Sequence, residues 1–297
     1  MNRQDMLTNA VPWQRYDFTL PVHLKRVTIF TTKGITTLFL QGIGKDIVTN
    51  IWSHIIGAVQ FLLDFARFVR FRFAVVADDP SRIDYETSDF LAVSLYYLCV
   101  IVCFALSAVF HTFSDHSLGL CLFSNKLDHL GIVFVMWGSG LSCAHFALRC
   151  ASSTVRVLHF SSIFLTAGSC ACITLRPDFR RPDCRIGRLL TYCFLGASLF
   201  LPLLQAWLAL KSLNKLDRIA GLWSFLGLAT VNFAGGALYV ARVPERWLPG
   251  KLDLLGHSHD WMHILVILGA HIRLQGLLGL YQRWGVDASM HCQNGPS

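Results

Sequence analysis

The chain has 297 residues, 54% of them hydrophobic and 15% charged, with a mean hydropathy of +0.48. A soluble globular domain carries about 25% charged residues, so this composition excludes one and points to a polytopic membrane protein. The net charge of +8 lies mainly between the apolar runs, where it complements anionic lipid headgroups; no aromatic-plus-basic groove suggests a nucleic-acid partner.

Arg15, Asp17, Lys25 and Arg26 interrupt every apolar stretch before Thr36, so no signal peptide is expected and the first span must serve as its own insertion signal. Residues 1–35 read as an N-terminal tail. Segment 36-TTLFLQGIGKDIVTN-50 is broken by Gly42, Gly44, Lys45 and Asp46, and reads as a short surface-lying helix or turn leading into the first span. Crossing roughly 30 Å of hydrocarbon takes about 20 apolar residues. Runs of that order follow at 51–68, 90–113, 130–148, 157–175, 189–210, 219–241 and 261–281. The first carries His54, Asp64 and Arg67 and the last carries His263, His271 and Arg273, residues that in a span face a bundle interior or snorkel at its ends. The expected fold is therefore all-α, a seven-transmembrane helix bundle over residues 36–282 followed by a tail over 283–297. The loops are too short for an extramembrane domain.

Lys and Arg in the connecting segments set orientation. With the N-terminus cytosolic, the inner segments hold 15 of them and the outer ones 10, which favours N-in, C-out. The ten cysteines include no CxxC pair, and most lie inside spans (Cys99, Cys103, Cys143, Cys170, Cys172, Cys193). They read as small apolar residues rather than a disulfide framework. There is no glycine-rich phosphate loop and no GxSxG elbow.

In an alternating seven-span chain, the end of the second span and the starts of the third and seventh emerge on one side. Those places hold 107-SAVFHTFSDH-116, 126-KLDHLG-131 and 258-SHDWMH-263, and His54 in 50-NIWSH-54 lies at the same level. His259 and His263 are four apart, on one face of a helix. With His111 they supply three nitrogen ligands and leave a fourth position open, the pattern of a catalytic zinc site. Asp128 is placed to hydrogen-bond a metal-bound water or act as a base, and Ser107, one turn deeper than His111, to donate to that water or to a substrate carbonyl. Each residue has a plainer reading. The histidines can be polar helix ends; Asp128 can be the acidic first-turn residue of a helix capped by Asn125; Ser107 can satisfy a backbone carbonyl. Their convergence on one side favours a metal site.

Together with 244-PERWLPGKLD-253, these motifs resemble, in order and at matching helix ends, the progestin and adipoQ receptor family, which includes the adiponectin receptors and is allied to the haemolysin III proteins. The resemblance covers about residues 36–282. It implies Zn2+ held by His111, His259 and His263, with Asp128 associated with the bound water and Ser107 beside it. It also implies a cytosolic N-terminus and ceramidase-type amide hydrolysis. Two stretches depart from the pattern. Asp260 stands where Gln is expected and would add a negative charge beside the ligands, and 42-GIGKDIVT-49 has no close counterpart. Two functions follow as expectations: a zinc amidase acting on ceramide-like lipids and releasing a free fatty acid, or a receptor or scaffold with a structural zinc and an extracellular ligand. A fourth protein ligand, His257 or His116, would favour the second.

Overall fold

The computed structural model describes residues 45–78, 83–114, 116–180, 184–248 and 256–286. The expected surface helix lies largely outside them, as do the N-terminal tail and residues 249–253. Among the described residues the regular structure is helical: α1 (Lys45–Asp78), α2 (Ile83–Phe113), α3 (Leu118–Ala147), α4 (Ser153–Thr174), a short 3-10 turn (Pro177–Arg180), α5 (Arg185–Ser198), α6 (Leu201–Leu210), α7 (Leu213–Ala220), α8 (Leu222–Ala241) and α9 (Ser258–Val286). Six of the spans, with α5 and α6 joined as one, are long and apolar enough to cross a membrane. The molecule is a helical membrane bundle.

Several boundaries differ from those expected. α1 begins at Lys45 rather than after residue 50 and continues ten residues past 68, because 69-VRFRFAVVAD-78 contains no Gly or Pro. It carries Asp64 and Arg67, paired at 2.8 Å, yet exposes Ile56, Val59, Leu62 and Leu63 on its outer face, as a lipid-facing helix does. α3 starts at Leu118, twelve residues before the expected 130. Its N-cap is Ser117, whose hydroxyl accepts the Leu120 N–H at 3.3 Å, so the polar stretch through Asn125 and Lys126 is helix and not loop. The span 185–210 breaks at Leu199–Phe200, since Pro202 has no N–H to give the Ser198 carbonyl. Residues 213–218, expected as loop, form α7 together with 219–220, expected as the start of the next span. Gly221, at φ 65°, ends α7 and opens α8, and Asp217 Oδ1 accepts the Trp223 N–H at 3.0 Å.

Two apolar clusters fill the bundle. One joins α1, α2 and α9 through Phe61, Tyr96, Phe104, Leu274 and Trp284; the other joins α3 to α8 through Ala144, Leu199, Leu203 and Phe225. Arg273 is fully buried and donates to Ser224 Oγ at 3.0 Å, so it faces the interior as an ionisable residue in a span should. At the end of the bundle away from the histidine motifs, buried Asp89 of α2 accepts from Arg149 and pairs with His145 Nε2 at 2.7 Å. The next residue, Cys150, is disulfide-bonded, which corrects the expectation that every cysteine is merely apolar filling. The eight other described cysteines form no disulfide.

Candidate metal centre

Two helix ends build the centre. His111 sits in the last turn of α2, and α9 presents His259 and His263 from its first two turns. The start of α9 is held on both sides. Glu245, in the segment after α8, accepts the Ser258 N–H at 2.8 Å and its hydroxyl at 2.5 Å. His257 Nδ1 accepts the Asp260 N–H at 3.2 Å, while Asp260 Oδ2 accepts the Gly256 N–H at 2.8 Å. This reciprocal arrangement satisfies N–H groups that a helix start leaves open. Asp260 is therefore used to order the first turn, which accounts for a carboxylate at a position where the family pattern leads one to expect Gln. His257, weighed as a fourth ligand, has one ring nitrogen committed to the same cap.

The three imidazoles converge. Their ligand atoms all lie within 4.8 Å of one another, and no other residue joins this set among the described residues. The His259 and His111 Nε2 atoms stand 3.4 Å apart. Two nitrogens on a tetrahedral ion, with bonds of about 2.0–2.1 Å, are separated by roughly 3.3–3.4 Å, so the pair fits such an ion without rearrangement. His111 and His263 are buried, and His263 Nδ1 has no hydrogen-bond partner. Two neighbours fix the rings. Tyr239 of α8 meets His259 edge-on at 5.3 Å between centroids, and His54 of α1 stacks on His263 at 3.9 Å.

Ser107, one turn before His111, is buried and hydrogen-bonds the Asp128 side chain. Asp128 stands on the eleventh residue of α3, far from its Ser117 cap, so the helix-capping reading of this carboxylate falls. The structure thus brings three of the sequence-identified residues together as a trio of imidazoles and pairs the other two, Ser107 and Asp128, with Ser107 one turn from His111 on α2. Sequence reasoning left open what Glu245, His257 and Asp260 do. Their role depends on a side-chain cap assembled across a segment boundary, for which no short motif exists.

A multi-helix membrane bundle with a trio of imidazoles at one end, two of them buried, defines the class. The chain belongs to the haemolysin-III-related family, which it matches over residues 45–274. It is 30% identical over 284 residues to the ADIPOR-like receptor IZH2 of Saccharomyces cerevisiae, covering 91% of this chain and 81% of the yeast protein. It is 28% identical over 228 residues to the adiponectin receptor protein of Drosophila melanogaster (77% of this chain, 49% of the fly protein). Over 181 residues it is 33% identical to heptahelical transmembrane protein 3 of Arabidopsis thaliana (59% of this chain, 50% of the plant protein). The chain spans about half the length of the fly and plant relatives. It is an adiponectin-receptor-like, multi-pass integral membrane protein.

Proposed function

We propose that the protein is a zinc-dependent amide hydrolase of ceramide-like lipids, releasing a free fatty acid, with His111, His259 and His263 holding Zn2+. The observation that carries this reading is the convergence of three imidazoles, with no fourth ligand in the set among the described residues, and a serine–aspartate pair whose Ser107 lies one turn from His111. A zinc ion with an open position polarises an amide carbonyl and acidifies a water molecule. Asp128 accepts the proton of the attacking water on a carboxylate oxygen and delivers it to the leaving amine nitrogen. Ser107, by its hydrogen bond to Asp128, orients that carboxylate. His259 and His263 are kept at fixed spacing by the capped start of α9, so the centre is preorganised by the helices that carry it.

In this reading α1 makes a seventh crossing, and the N-terminus is cytosolic. The Lys and Arg bias supports that orientation. So does Cys150, whose disulfide at the end of α3 then faces the oxidising side while the histidines face the cytosolic leaflet. The competing reading is a receptor or scaffold in which the zinc is structural, in keeping with the receptor names of the relatives. Metal analysis of the purified protein with a product assay on a ceramide panel separates the two. One equivalent of zinc with fatty acid released is the expected result. Bound zinc without release from any ceramide selects the receptor.

A further inference from the structure

His54 lies beside the metal centre but outside the set of three ligands. It is 5% exposed, and its ring is sandwiched between Phe104 (4.9 Å, interplanar angle 26°) and His263 (3.9 Å, 22°). Gly57, one turn further along α1, makes this approach possible: a Cβ there would stand 3.0 Å from the Phe104 ring. Neither ring nitrogen of His54 has a hydrogen-bond partner. Asn50 lies four residues earlier, on the same face of α1, and its Oδ1 is likewise buried and unpartnered. For stacking alone a phenyl ring would serve, without the desolvation cost of two buried polar atoms. An imidazole at this position is explained by something its nitrogens bind, and the polar groups it stands beside are those of the histidine trio.

We propose that His54 is a ligand-recognition residue, hydrogen-bonding the acyl head group of a lipid, amide carbonyl or carboxylate, bound at the His111–His259–His263 centre, with Asn50 extending the polar wall toward the membrane surface. A neutral imidazole has one donor and one acceptor nitrogen, so the same ring can donate to the acyl oxygen and accept from an amide N–H or a water. The inference rests on the proposed reading of the trio as a metal site. It adds α1 to the elements that build that site.

The test uses the full-length protein with Co2+ in place of zinc, so that visible absorption bands report on the ligand set and on what binds there. Palmitate is titrated into wild type, His54→Phe and His54→Gln, and a ceramide is titrated in parallel. The His54→Phe variant keeps a flat ring against His263, so its bands before addition are expected to match wild type. Its affinity for palmitate or for the ceramide is expected to fall about tenfold, the equivalent of one hydrogen bond, and His54→Gln is expected to recover part of the loss. Loss with palmitate alone places the contact in the released acid, and loss with both places it in substrate and product. Unchanged affinity for both in His54→Phe overturns the proposal. So do altered bands in that variant before any addition, which make the residue a support of the metal ligands instead. A wild type that takes up no cobalt overturns the metal reading together with this one, whereas normal wild-type titrations with an indifferent variant overturn this one alone.

Discussion

His263 is nearly inaccessible, packed between His54 and the two other imidazoles, and can bind a cation only in its neutral form. On the proposed reading, His111→Ala, His259→Ala and His263→Ala each leave two ligands, and zinc content measured by atomic spectroscopy is expected to fall sharply. Zinc at 100 times its dissociation constant stabilises a fold by about 2.7 kcal/mol, so the same variants should also melt at lower temperature. A His263→Ala protein with full zinc occupancy would remove the centre as described. Asp128 poses a different question, because Ser117 already caps α3 and leaves this carboxylate no capping role. Asp128→Asn preserves shape and hydrogen bonding to Ser107 while abolishing the base. The expected result is retained zinc with turnover lowered about 10²–10⁴-fold; undiminished turnover in a zinc-replete variant sinks the assignment. These five residues were legible in the sequence because a four-residue spacing on a helix and the parity of crossings are local and countable. His54 was placed at the right level, but its stacking on His263 was not, since sequence fixes no side-chain contact between the first and last spans.

At the scale of the element, the start of α9 decides how well two ligands are held. Glu245 accepts the Ser258 N–H and His257 the Asp260 N–H of its first turn, while Asp260 accepts the N–H of Gly256 just before it. Asp260→Ala removes the acceptor of the Gly256 N–H and is expected to cost about 1 kcal/mol of stability. Because the turn carries His259, zinc affinity is expected to fall roughly 10–100-fold, as when a supporting partner of a metal ligand is lost. Equal zinc affinity in a competitive chelator titration would separate the cap from the centre. Ser117→Ala is the contrast: it removes a cap of similar strength from α3, eleven residues from Asp128, and is expected to lower the melting temperature without changing zinc content. Segment 114-SDHSLGLCLFSNK-126 looked like a loop because its polar residues obscure a helical period, and only the Ser117 cap marks where the helix begins. α5 and α6 were read as one run because hydropathy does not register that Pro202 breaks the hydrogen-bond ladder.

For the whole molecule, the distribution of chemistry between the two ends of the bundle is what function depends on. One end holds the imidazole trio, with Ser107 one turn from His111; the other holds buried Asp89 with its partners His145 and Arg149 and the disulfide-bonded Cys150. Composition announced the membrane bundle, but not these tertiary pairings, because Asp89 and His145 are 56 residues apart and single cysteines carry no spacing signal. The proposed orientation rests on two independent arguments, the Lys and Arg bias and the redox compartment a disulfide requires. Both favour a cytosolic N-terminus and, with the seven crossings proposed above, an outer C-terminus. In intact cells a tag at Met1 is therefore expected to be protected from protease and one after Ser297 to be accessible, or lumenal if the protein resides in an internal membrane. The disulfide supplies a second readout on the same preparation. A membrane-impermeant maleimide should label Cys150 only after reduction, and from the side that exposes the C-terminal tag. Both tags accessible from one side would mean an even number of crossings. Cys150 labelled from the side of the Met1 tag would instead place the end of α3 in the reducing compartment and turn the histidine centre to the opposite leaflet.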